Sequence, residues 1–275
     1  MKFLSTFVDP SSLVAIFVPL FVTCVSLWLV CKTKWNVLFR DLGVPLGLFF
    51  SVLGATGMLL NMSVLGATEM VRITEAKAIG PATAVMLLTI TYGGIVSALG
   101  YFSTFKLSKP SNQSNQQTAS WKAITFILIP FLGLVLWANV SAADNATYVN
   151  PVALVVLATT MLTAVLLSDS NHRIEVLCQA SLLSAMISLV LGLVVLYKSL
   201  SDGGLNEGMY EGLSIAMNGL YYGLLCYISI YIASYKFGTT EKINAPLMNW
   251  HWMEVTGFLI FMFFAPETLR ESLLH

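Results

Sequence analysis

Charged residues are scarce in this chain of 275 residues. Lysine and arginine number 14, aspartate and glutamate also number 14, and together they make up 10% of the sequence with a formal net charge of zero. A soluble domain usually carries about 25% charged residues, so the composition excludes an ordinary water-soluble protein. The zero net charge and the lack of a basic block also argue against nucleic acid as a partner.

Cysteine and histidine are also few. The four cysteines lie in or at the ends of apolar runs, which favours packing as small apolar side chains over a disulfide framework. His172, His251 and His275 are scattered, no cysteine pair has the spacing of a metal site, and no glycine-rich phosphate loop follows a strand pattern. We therefore expect no enzyme, no metal site and no cofactor.

Apolar residues dominate instead, at 57% of the chain. Seven runs are long enough, at about 17–25 residues each, to cross a bilayer as a helix. They lie at residues 11–30, 45–63, 80–102, 122–140, 151–168, 176–197 and 212–235. An eighth run of similar length, 247–265, contains His251 and Glu254. The sequence predicts an all-α, polytopic membrane protein with seven transmembrane helices and a candidate eighth.

The distribution of basic residues predicts the orientation of these helices. Lysine and arginine are in excess over acids in the links at 31–44, 103–121, 169–175 and 236–246, whereas acids predominate in the links at the opposite ends. Cytoplasmic loops carry this kind of excess. We expect the N-terminus outside the cytoplasm and the end of the seventh helix inside.

A polar stretch of low complexity at 108–120 is typical of a linker between two units. Short matches recur on its two sides. Asp9–Val14 matches Asn150–Val155, and Leu88–Gly93 matches Asn218–Gly223. The matches predict two parallel repeats, each containing a helical hairpin.

The same segments resemble a known family. The stretch KAIGPATAVMLLTITYGGIVSALGYF at 77–102 resembles the last membrane helix of the flagellar stator A-subunit family, which comprises MotA and PomA and, more distantly, TolQ and ExbB. Residues 8–20 and 47–62 are similar to the second and third helices of that family. Helices four to seven look like a complete four-helix unit, and the resemblance covers most of residues 8–237.

The resemblance implies a division of the chain into four parts. Residues 1–107 form a first MotA-like unit of three helices, and residues 108–120 form the polar linker. Residues 121–238 form a second MotA-like unit of four helices. Residues 239–275 contain a MotB-like transmembrane helix and a short tail.

Glu254 is the candidate ion carrier. Ala245-Pro246-Leu247, followed by Glu254 and an apolar stretch, resembles the single helix of the stator B-subunit, in which an acidic residue carries the ion. A charge in hydrocarbon costs about 2.5–3.5 kcal/mol on insertion scales, so such an acid normally faces protein or water. In a second interpretation the run 247–265 lies in the membrane interface, and Glu254 and His251 reach the headgroups. The sequence leaves both interpretations open.

Hydroxyl groups can replace the water that an ion sheds along its path. Ser51 and Ser188 occupy the position at which the family has a threonine in its third helix. Thr89 and Thr91 flank a second such position, which Ile90 fills in the best alignment. These four hydroxyls are the predicted ion-path lining. The residues predicted to pack helices closely are Gly80, Pro81, Tyr92, Gly93, Tyr222 and Gly223.

The resemblance implies a proton- or sodium-conducting subunit of a compact ion-driven motor. We expect it in the bacterial inner membrane, surrounded by lipid, as a homo-oligomer alone or with further A- or B-type subunits. The links at 31–44 and 169–175 leave no room for the cytoplasmic domain of a conventional stator. Two alternatives remain: a membrane scaffold that has lost conduction, and a small-solute transporter.

Overall fold

The computed structural model describes residues 10–64, 88–100, 119–142, 148–169, 172–201 and 207–237. Seven α-helices account for nearly all of these residues. They are α1 (Pro10–Cys31), α2 (Trp35–Val64), α3 (Leu88–Gly100), α4 (Trp121–Ala142), α5 (Pro151–Leu167), α6 (Arg173–Ser201) and α7 (Glu207–Ser234).

Four of the helices are long and apolar enough to cross a membrane. The qualifying segments are Trp35–Gly57, Trp121–Val140, Arg173–Lys198 and Glu211–Ser234. Within the described residues, α1, α3 and α5 contain shorter apolar segments. The expectation of an all-helical protein with membrane-protein character is thus confirmed. The candidate eighth run and nearly all of the 108–120 linker lie outside the described residues.

The helix α7 lies at the centre of the bundle. It packs most extensively against α6 and also contacts α2, α5 and α4, while α1 packs against α2 and α4. Most of α2 and α7 is buried, and aromatic rings fill the space between them: Phe49 of α2 stacks on Tyr221 of α7 with ring centroids 5.3 Å apart. Phe131 of α4 completes this group, 6.3 Å from Phe49. The two halves of the chain therefore share one core.

The outward faces of α4 and α5 are apolar. Trp137, Val155, Leu162 and Leu166 are all more than half exposed in the isolated chain. In water such large apolar patches are unfavourable, whereas in a bilayer they meet lipid tails of the same polarity. The surface of the bundle thus has the character of a lipid-facing surface.

Glycine allows two helical hairpins to pack closely. A Cβ atom at Gly93 of α3 would lie 2.5 Å from the carbonyl oxygen of Gly43 and 2.9 Å from the Cα atom of Gly47, both on α2. A Cβ atom at Gly223 of α7 would lie 2.6 Å from both the Ser181 carbonyl oxygen and the Ala185 Cβ atom of α6. Since no side chain fits at either position, the backbones can approach as in small-residue packing of membrane helices.

Three of the described helices contain an internal proline. Pro19 lies in α1, Pro45 in α2 and Pro130 in α4. Proline has no N–H group, so each removes one hydrogen bond from its helix ladder. Membrane helices tolerate this because their neighbours support the local backbone. The three helices also contact one another.

Candidate functional site

The bundle contains a buried acid, Asp41, in the second turn of α2. The sequence prediction placed residues 31–44 in a link, but α2 begins at Trp35 and the break between α1 and α2 comprises only residues 32–34. The side chain of Asp41 is 4% exposed. Asp41 is thus an acid inside a candidate membrane span, a feature that the length of the apolar run alone did not reveal.

Hydrogen bonds from Arg40 and Tyr231 hold the Asp41 carboxylate. The Arg40 guanidinium donates from Nε to Oδ1 at 2.6 Å and from Nη2 to Oδ2 at 3.3 Å. Tyr231 of α7 donates its hydroxyl to Oδ2 at 2.9 Å. A buried carboxylate is tolerated only when it is paired and hydrogen-bonded, and Asp41 meets both conditions.

A chain of hydroxyl groups leads from Asp41 to the break between α1 and α2. The Tyr231 and Tyr235 hydroxyl oxygens are 3.2 Å apart, and Tyr235 hydrogen-bonds the side chain of Thr33. Burial raises the pKa of the Tyr235 phenol above its usual value, so this group stays neutral and can both donate and accept. We call Thr33, Arg40, Asp41, Tyr231 and Tyr235 the Asp41 cluster.

The helix α3 fixes the backbone next to this cluster. Ser97 donates its hydroxyl to the Arg40 carbonyl oxygen. At Gly100 an added Cβ atom would lie 2.8 Å from the Asn36 carbonyl oxygen, so α3 runs against the first turns of α2. The backbone of Arg40 is therefore held on one side, while its side chain is about one-third exposed, at 33%.

A second polar cluster lies near the start of α5. The Tyr222 hydroxyl of α7 donates to the Tyr148 carbonyl oxygen at 2.6 Å and accepts from the Asn150 N–H at 2.9 Å. The Asn150 side chain caps α5 by accepting from the Ala153 N–H at 3.0 Å. It also donates to Ser214 Oγ at 2.9 Å. One tyrosine and one asparagine thus fix the start of α5 against α7.

Neighbouring groups extend this cluster towards α2 and α4. Asn139 of α4 donates from Nδ2 to the Tyr221 hydroxyl at 2.8 Å, and the Tyr148 hydroxyl donates to the Leu53 carbonyl oxygen at 3.3 Å. Burial raises the pKa of the Tyr148 phenol, which keeps it neutral. The Tyr222 cluster is the set Asn139, Tyr148, Asn150, Ser214, Tyr221 and Tyr222.

The predicted ion-path hydroxyls fall on three helices. Ser51 of α2, Thr89 of α3 and Ser188 of α6 are buried, whereas Thr91 of α3 is exposed. The Ser188 Oγ atom has no hydrogen-bond partner within the described part of the chain, and it faces Gly219 of α7. Ser188 therefore lies inside the α6–α7 hairpin.

The remaining predicted residues divide between described and undescribed parts of the chain. Gly93, Tyr222 and Gly223 lie at buried helix contacts, and Tyr92 lines an apolar cavity of about 300 Å³ between α1, α2 and α3. Glu254, Gly80 and Pro81 lie outside the described residues. Across the ranges that the structure describes, no group of three or more His, Cys, Asp and Glu side chains is placed to hold a metal ion.

Sequence reasoning missed Asp41 and its partners. A signal for them was present in the spacing of Tyr227, Tyr231 and Tyr235, which places three phenol rings along one face of α7. A row of phenol hydroxyls on one face of an apolar helix indicates a buried polar partner, because buried tyrosine hydroxyls usually form hydrogen bonds. The partner lies 190 positions away in the sequence, so only the tertiary structure identifies it.

Comparison of the chain with protein-family models, with curated proteins and with solved structures finds no match.

Proposed function

We propose that this chain is a subunit of a stator-type, ion-conducting membrane complex in which Glu254 carries protons or sodium ions. The observation that supports the proposal best is the similar close packing of the α2–α3 and α6–α7 hairpins. The proposed complex is a homo-oligomer in the bacterial inner membrane, complete alone or with further A- or B-type subunits. The break between α1 and α2 then faces the cytoplasm, and the N-terminus faces the periplasm.

The two hairpins correspond closely in register. Gly93 and Gly223 are paired by the sequence repeat, and each is a close-approach position of its hairpin. Gly93 faces Gly43 and Gly47, whereas Gly223 faces Ser181 and Ala185. If Ser51 corresponds to Ser188, then Gly43 and Gly47 correspond to positions 180 and 184. Ser181 and Ala185 each lie one residue beyond these positions. Agreement within one residue favours two copies of one hairpin, as a tandem A-type architecture requires.

The chemistry of conduction needs a carboxylate that binds and releases a cation in a low-dielectric setting. Such a carboxylate must face protein rather than lipid, because lipid offers no compensating polar groups. The described bundle buries polar groups of this kind, among them the hydroxyls of Ser51 and Thr89, so its interior is not purely apolar. In the proposal, Glu254 faces protein of this character as the A-like units rearrange.

The test is ion flux into proteoliposomes that contain the wild-type protein or the Glu254→Gln variant. Proton and sodium gradients are applied separately, and the size of each complex is measured. We expect the substitution to abolish flux because glutamine cannot exchange a proton or balance a cation. The matched control is Glu211→Gln, since Glu211 is exposed at the start of the apolar segment of α7 and should leave flux unchanged.

A scaffold without conduction is the second candidate function. The observation in its favour is the enclosure of Ser188 between α6 and α7, where its hydroxyl serves close packing. Assemblies of normal size that conduct neither ion would support this candidate and contradict the first. Flux that is equal in wild type and Glu254→Gln would remove Glu254 from the mechanism.

A further inference from the structure

We propose that Asp41 is a proton-binding site in its own right, and that Arg40 is a tethered cation that occupies this site until a proton replaces it. The inference goes beyond the proposed function, because it concerns proton binding to a different carboxylate and stands whether or not the complex conducts. It is carried by the geometry of the Asp41 cluster.

The ion pair between Arg40 and Asp41 joins two adjacent helix residues. Adjacent side chains on an α-helix point about 100° apart and do not face each other. The Arg40 side chain must therefore fold back around the helix to reach Asp41. It is 33% exposed, while the Asp41 side chain is 4% exposed. The guanidinium thus pairs with the buried Asp41 carboxylate, and it also has an exposed side towards which it can rotate.

The chain of hydroxyl groups connects Asp41 to Thr33, in the break between α1 and α2, by a route that does not involve Arg40. Each of the Tyr231, Tyr235 and Thr33 hydroxyls can donate one hydrogen bond and accept others. The Tyr231 hydroxyl now donates its one hydrogen to Asp41 Oδ2, so Tyr235 is the donor in the bond between Tyr235 and Tyr231. If Tyr231 accepts from Asp41 instead, it can donate to Tyr235. The direction of the chain can therefore reverse without moving any helix.

Protonation of Asp41 reverses the direction of this hydrogen-bond chain. A proton adds to Asp41 Oδ2, and Tyr231 changes from donating to Asp41 to accepting from it. Arg40 keeps its own proton and turns towards its exposed side, so the charge of the pair rises from zero to plus one. Release runs in reverse: the proton leaves Asp41, and the guanidinium returns to the carboxylate.

Within the described residues, the titratable groups that interact with the carboxylate include Arg40 on α2, Tyr231 on α7 and Tyr235 just after α7. Two further titratable groups lie next to the tyrosines: Tyr227 beside Tyr231, and Cys31, at the end of α1, beside Tyr235. Burial keeps the phenol of Tyr235 neutral, so it adds no negative charge beside the carboxylate. Arg40 is a cation that hydrogen-bonds both carboxylate oxygens, so it competes with a proton for the same site.

The test is infrared difference spectroscopy of the full chain in liposomes, with acidic buffer as the source of the proton. Protonation of a buried acid produces the carbonyl band of a carboxylic acid, and we expect a band that is lost in Asp41→Asn. In Arg40→Gln the band should appear at a proton concentration about tenfold lower, because the competing cation is gone. Arg40→Lys keeps the charge and should remain close to wild type.

Two further variants complete the experiment. Tyr231→Phe should slow the rise of the band after a pH jump, whereas Tyr197→Phe, on the exposed surface of α6, should not. The band should persist in a Glu254→Gln background, so a failure of conduction leaves this result intact. Absence of any Asp41-dependent band would overturn the proposal. So would a band that forms at the same proton concentration in wild type and Arg40→Gln, which would leave only a structural ion pair.

Discussion

Replacing Gly93 with alanine is expected to destabilise the α2–α3 hairpin by about 1–3 kcal/mol, the usual cost of forcing an extra group into a packed interface. The new methyl group would lie 2.5 Å from the Gly43 carbonyl oxygen and 2.9 Å from the Gly47 Cα atom. Both are backbone atoms, which cannot move aside by changing a rotamer. The two helices must therefore separate.

The adjacent glycine provides the control for this experiment. A Cβ atom at Gly94 would have no atom of the described residues within 4 Å, so Gly94→Ala introduces the same methyl group without a clash there. The free energy of unfolding in mixed micelles should fall in Gly93→Ala and stay equal or rise slightly in Gly94→Ala. Equal losses in the two variants would show that α2 and α3 do not approach as described.

Replacing Tyr222 with phenylalanine is the second change with a large expected effect. The ring stays in place, but the hydroxyl that joins the Tyr148 carbonyl and the Asn150 N–H is lost. Each buried group left without a partner costs about 1–3 kcal/mol. Since Asn150 also caps α5, we expect the start of that helix to loosen from α7.

Hydrogen exchange at the first turn of α5 and the free energy of unfolding measure this effect. Tyr197→Phe is the matched control, because Tyr197 is 50% exposed on α6 and its hydroxyl can turn towards solvent or lipid headgroups. Faster exchange at Asn150 and Ala153 in Tyr222→Phe alone is the expected result. Unchanged exchange in both variants would mean that the Tyr222 hydroxyl does not hold α5.

Much of the fold could be predicted from the length of the apolar runs. Each of the seven predicted runs coincides with a helix in the part of the chain that the structure describes. The largest difference is at α2, which begins at Trp35 rather than near residue 45. The predicted apolar run begins only after Arg40 and Asp41, because these two charged residues lower the hydropathy of the preceding segment. The helix continues through them because the two charges pair and Tyr231 covers the carboxylate.

The candidate sites were less predictable, because their partners are distant in sequence. The predicted run at 151–168 begins where α5 begins, at Pro151, because the Asn150 cap and the proline act locally. By contrast, whether Ser51 or Ser188 faces a path or a neighbouring helix depends on how hairpins pack. No local pattern contains that information.

The internal prolines divide the helices into two groups that differ in their backbone hydrogen bonding. The mutually packed helices α1, α2 and α4 each lack one rung of their hydrogen-bond ladder, while α6 and α7 keep unbroken ladders and pack closely through small residues. Helices bend most readily at proline, so we expect α1, α2 and α4 to bend more easily than α6 and α7. In α2 the missing rung is at Pro45, one turn beyond Asp41, so bending there would tilt the carboxylate against the stationary Tyr231. A small bend of α2 at Pro45 would thus lengthen the hydrogen bond between Tyr231 and Asp41.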